Sequence, residues 1–145
     1  MAFLNNIPWW VYAVLGALTA GATNVLVQAG MKGVDNYLVT AVRTVLILPV
    51  VWLVAFWFSR VSAITSWSTR TWVFLGFSAV ASGLSWIFSY KAIAMSNAAR
   101  AGPIDKSSLA FTFILVWMFL GETISPRLLL AGALVLAGAI LSAFK

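Results

Sequence analysis

The sequence contains no histidine and no cysteine, and its only acidic residues are Asp35, Asp105 and Glu122. The absence of histidine and cysteine excludes disulfides, thiolate or imidazole ligands for zinc, iron–sulfur clusters or haem, and Ser-His or Cys-His catalytic pairs. Three carboxylates offer little scope for metal binding or proton transfer. We therefore predict a protein that is not an enzyme, binds no metal or cofactor, and instead moves or conducts a solute.

Charged residues of both signs are also scarce. They make up 8% of the 145 residues, and hydrophobic residues make up 63%, whereas a typical soluble domain has about 25% charged and about 45–50% apolar residues. An ordinary soluble domain is excluded, and long uncharged runs also argue against a soluble helical bundle. The net charge of +6 comes from single basic residues scattered through apolar sequence. We interpret this charge as a determinant of membrane orientation and predict no binding to nucleic acid.

Five apolar segments account for nearly the whole chain, because a helix needs about 20 apolar residues to cross the hydrocarbon core of a bilayer. The predicted spans cover about residues 8–28, 37–58, 71–95, 103–120 and 128–144. The sequence lacks the basic start of a signal peptide, so we expect the first span to be kept in the mature protein. The predicted fold is an all-α integral membrane protein with five transmembrane helices and its termini on opposite sides of the bilayer.

Polar residues form regular patterns within two of these spans. In the first, small and polar residues recur every fourth position and include Asn24 and Gln28; in the third, Ser78, Ser82, Ser85 and Ser89 share one face beside Trp86 and Tyr90. Polar faces in a membrane helix avoid lipid and turn to other helices or to a water-filled cavity. Close helix packing explains both patterns, and a solute-binding surface that includes Asn24, Ser82, Trp86 and Tyr90 is the alternative.

Charged residues near the second, third and fourth spans form a second candidate site. Arg43 lies in the second span, Lys91 near the end of the third, and Asp105 and Lys106 near the start of the fourth. Connectivity places all of them near the same membrane face. An Arg43–Asp105 ion pair between two helices, with both lysines reaching the headgroups, is one interpretation. A gate or an anion-binding site that includes Arg43 is the other, since the excess of basic residues favours a carboxylate or phosphate group.

Two features lie outside this candidate site. Glu122 falls on the opposite membrane face, where a surface ion pair with Arg127 is expected. The last span has small residues, among them Gly132 and Gly138, which are suited to tight helix contact, so this span is a candidate subunit interface.

The order of these features resembles one EamA domain of the drug/metabolite transporter superfamily. The resemblance runs through the asparagine of the first span, Arg43, Gly83 and Tyr90, the segment Ala-Gly-Pro-Ile-Asp-Lys at 101–106, Gly-Glu at 121–122, and the glycines of the last span. Typical members of that family have two such five-helix halves and export or exchange amino acids, metabolites or drugs. The resemblance thus implies that this sequence is one half of a ten-helix inverted-repeat transporter.

A single half implies a partner chain, and the hypothesis is an antiparallel homodimer whose subunits insert in both orientations. Transport at the interface of inverted repeats requires the two halves to be oppositely oriented. The loop charges are balanced, with Arg60, Arg70 and Arg127 on one face and Lys32, Arg100 and Lys145 on the other. Arg43, Lys91 and Lys106 lie near the face of Lys32, Arg100 and Lys145. When they are counted as well, that face has six basic residues against three on the other, which favours a single orientation with the C-terminus inside.

The function predicted is secondary transport or facilitated movement of a small organic solute by alternating access. We expect the protein in a prokaryotic inner membrane, with the lipid bilayer, the solute and a second copy of the chain as its partners. One alternative is a non-transporting membrane subunit of a larger complex. Another is a proton-coupled multidrug exporter similar to the four-helix small multidrug resistance proteins, although this first span lacks the acidic residue that those proteins have.

Overall fold

The computed structural model describes residues 7–144, and the regular structure within them is entirely helical. The elements are α1 (Trp9–Gly30), α2 (Asn36–Phe58), a short 3-10 helix (Val61–Ser66), α3 (Thr69–Met95), α4 (Ala98–Asp105), α5 (Ser108–Leu115) with a π-helical turn (Val116–Leu120), and α6 (Pro126–Ala143). Five stretches are long and apolar enough to cross a membrane, and α4, α5 and the π-helical turn together form the fourth. The predicted fold class is confirmed.

Short polar loops determine where four of these helices begin. The side chains of Asp35, Ser68, Asn97 and Ser125 each accept a hydrogen bond from a backbone N–H in the first turn of the helix that follows. Such N-terminal caps satisfy donors that have no partner within the helix. The loops between spans are therefore also the helix starts, which keeps the connections short.

The fourth span differs from its prediction, because it begins earlier and is divided. Asn97 caps α4, so the helix starts at Ala98 instead of near Pro103, and Pro103 lies within it. After Asp105 the backbone forms a turn, in which Ser107 N–H bonds the carbonyl of Ile104 at 3.0 Å, before α5 resumes. The break directly follows Asp105, so it places Asp105 and Lys106 at a discontinuity in the helix.

The buried residues lie mainly at one end of the bundle. The helix α3 contacts α1, α2 and α4, while α6 contacts both α4 and α5. Val27, Met31, Tyr90, Ile93 and Ala101 form a buried cluster where α1 and α3 end and α4 begins. We call this the packed end.

Elsewhere, large apolar side chains are exposed on every membrane-spanning stretch. Examples are Leu26 in α1, Trp57 in α2, Phe77 in α3 and Leu141 in α6, each more than two-thirds exposed. In water such a surface would be strongly unfavourable, whereas lipid tails or another apolar protein surface accommodate it. The exposure therefore agrees with an integral membrane protein.

Tight packing away from the packed end occurs between α5 and α6. Gly132 is buried, and a Cβ atom at this position would lie 2.8 Å from Cε2 of Phe113. The close approach of the two helices thus depends on glycine. Gly138 differs, since no atom lies within 4 Å of the corresponding position there.

Candidate functional site

A cavity of about 230 Å³ lies between the membrane helices, next to the packed end. It is bounded by α1, α2, α3 and the break after α4. Its lining is rich in groups that form hydrogen bonds, and consists of Ala20, Thr23, Asn24, Arg43, Ser85, Trp86, Ser89, Tyr90, Asp105 and Lys106. Most of the residues that the sequence marked as candidate site residues therefore meet in one place.

Arg43 is the central cationic group of this cavity. It lies seven residues after the start of α2, about 10 Å along the helix axis at the α-helical rise of about 1.5 Å per residue. Its guanidinium carbon is 5.4 Å from the ring centroid of Trp86 and 5.2 Å from that of Tyr90. Its Nη1 also donates a hydrogen bond to the hydroxyl of Tyr90. Two aromatic rings of α3 thus fix the position of the guanidinium group through cation–π contacts.

Asp105 is held by different partners. The hydroxyl of Ser89 donates to its Oδ1 at 2.6 Å, and Nζ of Lys106 lies 3.6 Å from its Oδ2. The expected Arg43–Asp105 ion pair is not formed, because Tyr90 holds the arginine while Ser89 and Lys106 hold the carboxylate. The Lys106–Asp105 pair is the one ion pair within residues 7–144, so the expected Glu122–Arg127 surface pair is also not formed.

The polar face of α1 has two distinct roles. Asn24 lines the cavity, with its amide nitrogen 3.9 Å from the position that a Cβ of Gly102 would occupy. Gln28, one turn further on, accepts a hydrogen bond from the backbone N–H of Ala98 at 2.7 Å. Gln28 therefore joins α1 to the start of α4, as the packing interpretation implies, whereas Asn24 borders the cavity.

The serine row of α3 is similarly divided. Ser85 and Ser89 line the cavity, whereas Ser82 is exposed on α3 about one turn further from the packed end and is not part of the lining. The site predicted from the sequence omits Ser85, Ser89, Thr23 and Ala20, although both serines belong to the predicted polar row of α3. The signal for Ala20 was present, since it belongs to the same four-residue repeat as Asn24, and the serine spacing indicated the right face of α3.

Lys91 lies away from the cavity lining, on the exposed surface of the packed end. Its Nζ donates to the hydroxyl of Tyr37 at 3.1 Å and is 5.7 Å from the centroid of that ring. This contact links α2 to α3, and the sequence did not indicate it. Within residues 7–144 there is also no cluster of three acidic side chains that could hold a metal ion.

Comparison with known proteins agrees with this architecture. The sequence matches the EamA-like transporter family over residues 7–144. It is 34% identical over 141 residues to a protein of Sinorhizobium sp named "Uncharacterized transporter in cobO 3'region", and the match covers 93% of this chain and 96% of that relative. No solved structure matches the chain. The five apolar helices and the polar cavity between them therefore belong to an integral membrane protein of the EamA-like transporter family, and its function is transport.

Proposed function

We propose that the protein is a secondary transporter or facilitator for a small organic solute, and that the solute binds in the cavity around Arg43, Trp86 and Tyr90. The solute is a metabolite, an amino acid or a small drug-like compound, and the expected location of the protein is a prokaryotic inner membrane. The observation that carries the proposal is the grouping of Asn24, Arg43, Ser85, Asp105 and Lys106 in one cavity among otherwise apolar helices.

Such a grouping is energetically unfavourable in a membrane, so its presence indicates a function. Ionisable residues within membrane spans are energetically unfavourable and usually mark solute or ion pathways. Transporter sites of this kind lie between helices and often beside a discontinuous helix, and here the break after Asp105 borders the cavity. The volume of about 230 Å³ is below the range of about 300–1,000 Å³ typical of pockets for drug-sized ligands. This volume suits a small solute. It also agrees with a larger site that a second subunit completes.

We further propose that the working unit is a homodimer of oppositely inserted subunits that alternates between two access states. Each subunit supplies five spans, and an inverted pair supplies the ten-helix arrangement in which solute sites lie between the repeats. The balanced loop charges and the exposed apolar faces on α2, α3 and α6 support such pairing. The relative from Sinorhizobium, whose length this match covers almost completely, also has room for only about five spans.

The experiment that tests the transport proposal uses purified protein in proteoliposomes. Wild-type protein and three variants, Trp86→Ala, Arg43→Gln and Trp57→Ala, are compared for uptake of labelled small metabolites. Trp57 is the matched control, because it is an exposed tryptophan of α2 that does not line the cavity. We expect uptake by the wild-type and Trp57 variants and loss in the other two; equal uptake by all four would place the pathway elsewhere.

A proton-coupled exporter remains the second candidate, and a specific observation favours it. Asp105 is the only acidic residue lining the cavity, and its carboxylate contacts a hydroxyl and an ammonium group there. A carboxylate that binds a proton in one access state and releases it in the other would couple the proton to the solute. In that case Asp105→Asn should abolish the response of uptake to an imposed pH gradient. A pH response that persists in Asp105→Asn would remove this candidate.

A further inference from the structure

We infer that Arg43 binds the anionic group of the solute, so that the transported class is small organic anions that carry a carboxylate or a phosphate. This inference rests on the proposed function and narrows it. Its basis is that Trp86 and Tyr90 support Arg43, while no carboxylate of residues 7–144 forms an ion pair with it.

Each of the three acidic residues of the chain either has other partners or lies far from Arg43. Asp35 accepts hydrogen bonds from the backbone N–H groups of Tyr37 and Leu38 and so caps α2. Asp105 is held by Ser89 and paired with Lys106. Glu122 follows the π-helical turn at the end of the fourth span, opposite the packed end. Within residues 7–144, therefore, no carboxylate forms an ion pair with Arg43.

The cavity therefore has a net positive charge. Arg43 and Lys106 contribute two positive charges and Asp105 one negative charge, and the other lining residues are neutral. Arg43 is partly buried, and a charged group that loses part of its hydration is stabilised by a partner that compensates the loss. An anion supplied by the solute would complete the compensation, whereas a cationic solute would add to the repulsion.

The geometry of the guanidinium group also suits an anion. A guanidinium has five N–H donors, which match the two oxygens of a carboxylate or phosphate, and one hydrogen bond, to Tyr90, occupies it here. The rings of Trp86 and Tyr90 already contact Arg43, so their primary role is to orient the arginine rather than to bind a cationic solute. Asn24 and Ser85 line the same cavity and can bond the remainder of the solute.

The test compares acids with uncharged analogues of nearly the same shape. The thermal stability of detergent-purified wild-type protein is measured with lactate and lactamide, with benzoate and benzamide, and with glycerol 3-phosphate and glycerol. A solute that binds the folded state raises its stability. We expect at least one anion to raise the melting temperature while its neutral analogue does not. If no anion in the panel does so, or if the neutral analogues act equally, the inference is wrong.

The role of Arg43 is tested with two variants. Arg43→Gln should weaken binding of the effective anion about 10- to 100-fold, which is the range for hydrogen bonds to charged groups. Arg70→Gln is the matched control, because Arg70 also lies over an aromatic ring, 5.6 Å from the centroid of Phe74, but outside the cavity. Its affinity should equal that of the wild type. Equal affinities for the Arg43 variant and the wild type would overturn the assignment.

Two further measurements separate the possible failures. In an antiparallel dimer Glu122 of a second copy would lie on the same membrane side as Arg43. If Glu122→Gln destabilises the solute-free protein and Arg43→Gln adds nothing further, that carboxylate is the counter-charge and the inference fails. If an anion binds through Arg43 but is not taken up by proteoliposomes, the proposed function fails while the anion site stands.

Discussion

Tyr90 contacts Arg43 twice, through its hydroxyl, which accepts a hydrogen bond from Nη1, and through its ring, whose centroid is 5.2 Å from the guanidinium carbon. Tyr90 is itself only 3% exposed and belongs to the buried cluster of the packed end. The packing of helix ends at one side of the bundle therefore controls the orientation of the charge in the cavity.

The first prediction separates the two contacts of Tyr90. Tyr90→Phe keeps the ring and removes the acceptor, so solute binding should weaken by about 0.5–1.5 kcal/mol, the usual net contribution of one hydrogen bond. Tyr37→Phe is the matched control, because the Tyr37 hydroxyl accepts from Lys91 on the exposed surface. Ligand-dependent melting curves measure both. A larger loss of affinity in the Tyr37 variant would contradict the placement of the site.

The second prediction distinguishes the two polar residues of α1. Gln28→Ala removes the cap on Ala98 and should lower the stability of the protein by about 1 kcal/mol, the typical value for a helix cap, with little effect on solute affinity. Asn24→Ala removes a cavity-lining amide and should lower affinity with little effect on stability. Melting temperatures with and without solute give both quantities. The reverse assignment of effects would mean that Gln28, not Asn24, faces the solute.

The third prediction concerns the contact between α5 and α6. Gly132→Ala brings a methyl group to within 2.8 Å of the Phe113 ring, so the protein should lose about 1–3 kcal/mol of stability, as in other overpacked sites. Phe113→Leu in the same chain should restore part of it by vacating the space. Gly138→Ala, where no atom is within 4 Å, is the control and should be nearly neutral in a monomer. A stability loss confined to Gly138→Ala would instead place a subunit contact on α6.

The fourth prediction concerns the turn that ends the fourth span. Gly121 has φ of 66°, in the left-handed region where a side chain is unfavourable by about 1–2 kcal/mol. Gly121→Ala should destabilise the protein by about that amount, while Gly16→Ala, in the interior of α1, should not, because alanine favours a helix more than glycine does. Thermal unfolding of both variants checks this. Equal stability of the Gly121 variant and the wild type would contradict the turn geometry.

Much of the architecture could be predicted from the sequence, because the length of apolar runs and the placement of polar loops are one-dimensional signals. These signals gave the five spans and the gathering of Arg43, Trp86, Tyr90 and Asp105 near one end of the bundle. The exact partners are determined by helix rotation and by the competition between nearby groups. Arg43 and Asp105 have similar depth in sequence, yet the hydroxyls of Tyr90 and Ser89 are closer partners than the two charges are for each other.

The fourth span illustrates the same limit. The sequence predicts a helix start near Pro103, but Asn97 provides an N-cap six residues earlier and the helix incorporates the proline. For a related reason, the prediction of Ser82 as the solute-binding serine of α3 does not match the cavity lining, which contains Ser85 and Ser89 instead. A row of serines identifies one helical face, whereas the depth of the cavity along that face depends on where the neighbouring helices meet.

Cysteine accessibility tests most directly whether a polar, water-accessible solute site lies between these helices. Because the sequence contains no cysteine, Ser85→Cys and Leu84→Cys each introduce a single thiol. Ser85 lines the cavity, and its neighbour Leu84 is an exposed apolar residue on α3. A thiol reacts with a maleimide through its thiolate, which requires a hydrated environment. In intact membranes, we expect a water-soluble maleimide to label Ser85→Cys and to leave Leu84→Cys unreacted; a Ser85→Cys protein as inert as Leu84→Cys would mean that water does not reach the cavity.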